Sequence, residues 1–263
     1  SSSRKKIKKK YCKRPNHFLK IFKKINLKFM CGISGFFGKK KIESKIINRT
    51  LELMKNRGPD FSNSYQDQVK GNISVNLLHT RLSIIDLNTR SNQPFYDNGN
   101  VLVFNGEIYN YLELKKDLEK RGEKFETSSD TEVLIKYYKF YGEECVKYFE
   151  GMWAFAIYDT KEKKLFISRD RFSEKPLFYL NSNEGFYFGS EIKFIRSLCD
   201  KNIDINYRHL NNFISHGYKA LHKSSQTHFN NVFHLNGAES LTVNSNFEIK
   251  KKKFWRPKIS KLK

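Results

Sequence analysis

The run Cys31-Gly32-Ile33-Ser34-Gly35-Phe36-Phe37-Gly38 constrains this chain more than any other stretch. It is apolar and glycine-spaced, and it predicts a strand over 31–38 around which the rest of a core must be organised. A methionine stands directly before it. Methionine followed by a small residue is what an aminopeptidase can trim, so translation starting at Met30 would leave Cys31 as the first residue. Its thiol and free α-amine would then share one residue. An α-amine titrates near ~8 and a free thiol near ~8.5, so the amine can relay the thiol's proton near neutral pH. The other reading is a small, inert cysteine buried at the start of a strand.

Strand-like segments are predicted at 31–38, 73–79, 82–86, 101–105, 152–159, 164–169, 176–180 and 186–189. Helical segments are predicted at 42–55, 109–121, 130–141, 191–198 and 207–215. Tyr109, Leu112 and Leu118 form an apolar stripe beside Glu113, Lys116 and Glu119, and Gly122 supplies a stop. Ser129-Asp130-Thr131-Glu132 carries the capping chemistry that opens the next helix. Strands and helices in separated runs indicate an α+β class and not a regular βαβ repeat.

A formal charge of +23 over 263 residues would ordinarily point to a polyanionic partner. Its distribution argues otherwise. Residues 1–29 hold 12 Lys/Arg and residues 250–263 hold 8, with no acid in either, while the 220 between carry 30 Lys/Arg against 27 Asp/Glu. The expected organisation is a basic extension at 1–29, a body at 30–249, and a basic tail or linker start at 250–263. Phe18, Phe22, Ile25 and Phe29 recur at helical spacing among lysines, the pattern of a basic amphipathic helix. A membrane-surface or nucleic-acid element, a transit-like leader, and upstream sequence outside the working protein all match it. The last is favoured, because the chain begins Ser1-Ser2-Ser3 and Met30 is its first methionine.

No stretch reaches the ~18 apolar residues needed to span a bilayer. Cysteines at 12, 31, 145 and 199 form no disulfide framework, which fits a reduced, cytoplasmic setting. Histidines at 216, 222, 228 and 234 lack helix-face spacing and an accompanying ligand cluster, so no metal is expected.

Three further segments carry chemistry. Arg57-Gly58-Pro59-Asp60 is in itself a charged turn. In His79-Thr80-Arg81-Leu82-Ser83-Ile84-Ile85-Asp86, Arg81 lies inside apolar sequence and needs an anion, either a protein carboxylate such as Asp86 or the carboxylate of a ligand. Asn105-Gly106 follows the apolar Val101-Leu102-Val103-Phe104. An Asn amide beside an unhindered Gly N–H supplies two convergent donors, as an oxyanion hole requires, although Asn-Gly also favours a plain strand-ending turn.

Taken together with Phe104-Asn105-Gly106-Glu107-Ile108-Tyr109-Asn110, Ser129-Asp130-Thr131-Glu132, Gly151-Met152-Trp153-Ala154-Phe155-Ala156, Arg169-Asp170-Arg171-Phe172, Lys175-Pro176-Leu177-Phe178-Tyr179 and Ser190-Glu191-Ile192-Lys193, these segments resemble, in order, glutamine-hydrolysing asparagine synthetases. The resemblance covers residues 30–220 and is to their class II glutamine amidotransferase portion, an N-terminal-nucleophile hydrolase. It implies a four-layer α/β/β/α sandwich with Cys31 opening a central strand. It also implies Cys31 as nucleophile with its α-amine as base, and Asn105 and Gly106 as oxyanion donors. Arg81 would hold the α-carboxylate of glutamine, Asp130 its α-ammonium, and Glu107 would complete the pocket. Glutamine would be hydrolysed through a cysteinyl thioester without cofactor or metal.

The same resemblance assigns ATP and Mg to a synthetase domain or subunit as partner. That domain's Ser-Gly-Gly-x-Asp-Ser type loop is not found in this sequence. A homodimer is a compatible assembly, and neither nucleic acid nor membrane is an expected partner. Departures from the family pattern are Asn56 for His, Ser173 for Gly, Asn236-Gly237 for Pro-Gly, and a weak match over 216–245. The competing reading is a non-catalytic glutamine-binding or regulatory domain, with the segment before Cys31 covering the nucleophile.

Overall fold

A computed structural model describes residues 30–69, 73–217 and 224–257. The amphipathic pattern before Met30, His222 and the last residues of the basic tail lie outside them. Strand β1 (Gly32–Gly38) is buried along its whole length. It lies inside a six-stranded sheet with β2 (Phe61–Val69), β3 (Ile73–Arg81), β8 (Phe178–Ser182), β9 (Gly185–Gly189) and β10 (Val232–His234), in the order β10-β8-β9-β1-β3-β2. Its neighbours run antiparallel to it, with Ile33 opposite His79 and Gly35 opposite Phe188. A Cβ on Gly35 would come within 2.5 Å of both the Asn76 carbonyl oxygen and the Phe188 ring. The glycine is what lets that ring cross the strand.

The second sheet joins β4 (Phe95–Asp97), β5 (Asn100–Ile108), β6 (Gly151–Asp159), β7 (Lys164–Arg169), β11 (Glu239–Val243) and β12 (Ile249–Lys253) in the order β12-β11-β7-β6-β5-β4. All its pairings are antiparallel. Strand alternation then builds the layers. Ile33, Phe37, Leu77, Val103, Ala156 and Phe188 fill the space between the sheets. On the outer face of the first sheet, Phe36, Leu78 and Tyr187 pack against α1 (Ser44–Met54) and α4 (Ile192–Cys199). Outside the second, Phe104, Trp153 and Phe166 meet α2 (Tyr111–Lys120) and α3 (Asp130–Tyr141). The result is the expected α+β four-layer sandwich, flanked by α5 (Tyr207–His216).

Local chemistry explains the helix bounds. The Ser129 hydroxyl accepts from the Thr131 N–H at the start of α3, and Gly142 closes it at φ 54°. Glu132, on the first turn, accepts from the N–H groups of Glu126 and Thr127 and from the Thr127 hydroxyl.

The structure corrects three local expectations. Residues 82–86 form no strand: β3 ends at Arg81, whose guanidinium draws the following carbonyls around itself. Asn105-Gly106 is not a strand-ending turn but lies within β5, opposite Ala154 and Trp153. Strands β2, β4, β10, β11 and β12 lie where none was expected. Phe61–Val69 reads FSNSYQDQV, an edge strand whose polar side chains hide its periodicity. Ile249–Lys253 reads IKKKK, and lysines are a common protection for an exposed edge.

Candidate active site

The nucleophile candidate stands at the entry to β1. The Leu82 N–H donates to Cys31 Sγ at 3.3 Å, and the thiol lies 3.5 Å from the Leu82 carbonyl oxygen. Burial pushes the thiol up from its ordinary pKa, and the Leu82 hydrogen bond with the charges of Arg81 and Lys175 only partly offsets it. A thiol held neutral needs a base. The Cys31 carbonyl accepts from Arg57 Nε at 3.1 Å, while Arg57 Nη1 pairs with Glu191 at 3.2 Å. Arg57-Gly58-Pro59-Asp60 thereby clamps the start of the strand. A Cβ on Gly58 would lie 2.4 Å from the Thr80 carbonyl, so only glycine lets that turn press against β3.

Arg81 is 5% exposed, and its hydrogen bonds go to neutral oxygens. Nη1 donates to the Asn88 carbonyl at 3.0 Å and to Asn92 Oδ1 at 2.7 Å, and Nη2 to the carbonyls of Ile85 and Asp86. The Asp86 carboxylate faces elsewhere. It accepts from the Ser128 N–H and hydroxyl and pairs with Arg90. Burial opposes its ionisation, but hydrogen bonds from the Ser128 and Asn88 N–H groups and the Ser128 hydroxyl hold its pKa at about 2. Asp86 is therefore a staple between two loops and not the partner of Arg81. A buried guanidinium with no carboxylate among its hydrogen-bond acceptors is suited to a ligand carboxylate.

Cys31, Arg81, Gly106, Glu107 and Asp130 line one pocket, together with Gln93, Ser129 and Thr131. Asp130 is buried at the first turn of α3 and accepts from the Ile108 N–H at 3.0 Å. Burial raises its pKa to about 6 against the pull of the Ile108 and Ser129 hydrogen bonds, and the charge of Glu107 adds to the rise. Two neighbouring carboxylates are disposed to accept a cation, because an ammonium placed beside both offsets their mutual repulsion.

Asn105 is buried beside the pocket and not on its wall. Its Nδ2 has no hydrogen-bond partner among the described residues. Val101 and Val103 face the other sheet, and Asn105 continues that alternation toward the sheet bearing Cys31. At Gly106 a Cβ would meet the Met152 carbonyl oxygen at 2.2 Å and Trp153 Cα at 2.7 Å. A side chain there would push the strand away from β6.

Residues that sequence reasoning did not assign complete the site. His79 Nε2 lies 3.1 Å from the Phe104 carbonyl oxygen, a polar tie between the two sheets one residue before Asn105. Burial lowers its pKa to about 3, so the ring is neutral and Nε2 carries the donated proton. Gln93 Oε1 accepts from the Phe104 N–H at 2.6 Å. Lys175, 7% exposed, has its Nζ 3.4 Å from Met30 Sδ. His79 and Lys175 stand inside the His79–Asp86 and Lys175–Tyr179 motifs, so their presence was legible but not their contacts; an isolated Gln93 gives no sequence signal. The departure at Ser173 is also explained: its φ is 62°, a conformation that favours glycine. Among the described residues no three of His, Cys, Asp and Glu gather as metal ligands, and no helix is long and apolar enough to cross a membrane.

A family model described as a glutamine amidotransferase domain matches residues 30–255. A putative glutamine-hydrolysing asparagine synthetase 2 of Methanocaldococcus jannaschii is 37% identical over 247 residues, covering 86% of this chain and 46% of that protein. Glutamine-hydrolysing asparagine synthetase 3 of Bacillus subtilis is 40% identical over 173 residues, 63% of this chain and 27% of its own length. The chain thus spans less than half the length of these relatives. The solved glutamine phosphoribosylpyrophosphate amidotransferase of B. subtilis shares the fold, with a TM-score of 0.62 at 20% identity over 86% of this chain and 50% of that one. A match that runs from Met30 to Trp255, and so takes in every strand of both sheets, makes this chain a member of the glutamine amidotransferase domain family.

Proposed function

We propose that this domain hydrolyses glutamine to glutamate and ammonia through a cysteinyl thioester. The observation that carries the reading is a thiol in one pocket with a guanidinium bonded only to neutral oxygens and a pair of carboxylates. That arrangement fits a free amino acid whose α-carboxylate meets Arg81, whose α-ammonium meets Asp130 and Glu107, and whose side-chain amide reaches Cys31. The α-amine of a terminal Cys31 takes the thiol proton. The thiolate attacks the amide carbon, and the resulting oxyanion is received by Asn105 Nδ2 and the Gly106 N–H. The proton passes to the leaving nitrogen, ammonia departs, and water cleaves the thioester to regenerate the thiol. These steps use protein groups alone. The names of the sequence relatives support asparagine synthesis as the destination of the ammonia; an ATP- and Mg-dependent synthetase domain or subunit as the receiving partner, and a cytoplasmic setting, are part of this proposal.

Glutamate release by protein beginning at Cys31 tests the reading. Gly32–Lys253 contains every strand and helix described, so this shorter chain retains the whole described fold. No release, with circular dichroism confirming a folded protein, would favour the glutamine-binding or regulatory alternative. Two substitutions report on the parts. Asn105→Ala is expected to lower turnover by about 100-fold or more with little change in KM, the scale of removing one oxyanion donor. Arg81→Lys is expected to raise KM with a smaller effect on turnover, since a point charge replaces a planar fork and leaves several carbonyls without a donor. An unchanged KM would mean that the substrate carboxylate binds elsewhere.

A further inference from the structure

The Arg169-Asp170 to Lys175-Pro176 motif supplies no group to the proposed bond-making steps, yet it is a tightly bonded loop. Asp170 is fully buried and accepts from the N–H groups of Trp153, Phe172, Glu174 and Lys175 at 2.9 to 3.3 Å. Arg169 donates to three carbonyls, those of Ser173, Lys175 and Leu235, at 2.6 to 2.8 Å. Both ends of the loop are thus fixed to the second sheet. What the loop delivers is Lys175, whose Nζ reaches the residue preceding the nucleophile.

Met30 Sδ is a weak acceptor for a buried ammonium. In protein beginning at Cys31 it is gone, and the α-amine of Cys31 stands at that end of the strand, on the residue whose thiol the charge of Lys175 already reaches. We infer that Lys175 is a positioning residue whose fixed ammonium holds the Cys31 α-amine in its free-base form near neutral pH and favours the thiolate. This rests on the proposed thiol chemistry and assigns a residue to the tuning of its base.

The physical reason is like-charge repulsion. A cation held within a few ångströms disfavours protonation of a second amine and favours ionisation of a thiol. Other charges face the same place. Arg57 lies against the Cys31 carbonyl but is paired with Glu191. Arg81 and Asp130 act on the thiol with opposite signs, and in the proposed complex each is engaged by substrate. Burial lowers the pKa of Lys175 from its ordinary value and Arg57 adds to the fall, while Glu107, Cys31 and Glu174 act to keep it charged. Lys175 is the remaining cation, and unlike Arg57 it has no carboxylate hydrogen-bonded to it among the described residues.

The test compares Lys175→Met and Lys175→Arg in protein beginning at Cys31. Two pH profiles are read: kcat/KM for glutamine hydrolysis, and the rate of iodoacetamide alkylation of Cys31 followed by mass spectrometry. Cys145 and Cys199 are buried and serve as internal controls. The Met variant is expected to move the acid limb of both profiles up by about one pH unit, a roughly tenfold loss on that limb that closes at high pH. The Arg variant is expected to keep the parental limb, because a guanidinium supplies the charge but cannot serve as a base. A Met variant with unshifted limbs would overturn the inference, whatever its rate. An Arg variant that shifts like Met would do the same and would make the neutral amine of Lys175 the active form. The alkylation profile stands even if no glutamate is released, so failure of this inference is distinguishable from failure of the proposed reaction.

Discussion

Cys31→Ala, in protein beginning at residue 31, is expected to abolish glutamate release while leaving glutamine affinity within a few-fold of the parent. The thiol contributes bond-making and little grip. Its hydrogen-bond contacts are with the Leu82 peptide, whereas the charged groups proposed to hold the amino acid lie on β3, β5 and α3. Removing one sulfur from a half-buried position leaves β1 intact, because the strand is anchored by Ile33, Phe36 and Phe37 in two separate cores. Calorimetric titration with glutamine and a coupled glutamate assay on the same preparation check both halves. Turnover surviving in the alanine variant would require another nucleophile. Loss of binding together with turnover would mean that the thiol is structural.

The residues that could be read from sequence are those whose chemistry is expensive to place by chance. Arg81 in an apolar stretch demanded an acceptor, and the structure meets that demand in a way the sequence did not disclose. The chain leaves β3 and wraps its own carbonyls around the guanidinium, which turns an apparent second strand at 82–86 into a loop that exposes Ile84 and Leu87. Apolar character alone could not separate a strand from a loop recruited to solvate a cation. Asn105-Gly106 shows the opposite override. The local preference for a turn loses to nine consecutive pairings between β5 and β6, and a glycine read as a turn residue proves to be the point at which two strands approach too closely for a Cβ.

The edge strands escaped for another reason. Sheet edges need no continuous apolar signal, so the polar β2 and the lysine-rich β12 carry backbone pairings that composition conceals. Strand β12 also runs across the position where charge pattern divides body from tail. The roles of His79 and Lys175 could not be read at all, since each depends on a contact with a residue distant in sequence: Phe104 for one, Met30 for the other.

The second large effect concerns the residues ahead of the nucleophile. In the 263-residue chain, the nitrogen of Cys31 is joined to Met30 in an amide. An amide nitrogen has no lone pair available at neutral pH for the thiol's proton, because resonance with its carbonyl holds it. Burial already keeps the thiol protonated, so without that base the nucleophile stays in its unreactive form. The full 263-residue chain is therefore expected to release glutamate at a rate lower by roughly 10²–10⁴-fold, the usual contribution of a general base, than protein beginning at Cys31. Charge offers a competing cause, since residues 1–29 carry 12 Lys/Arg. High salt separates the two: screening would relieve an electrostatic block, whereas a missing amine is indifferent to ionic strength. A form beginning at Met30 sharpens the comparison, because it restores an α-amine one residue too early while removing the basic segment. Low activity in that form and in the long chain, at both salt concentrations, would identify the amine of Cys31 as the base. Equal rates from all three, with intact-mass measurement excluding cleavage during the assay, would move the base to a side chain, and Lys175 would be the first residue to test.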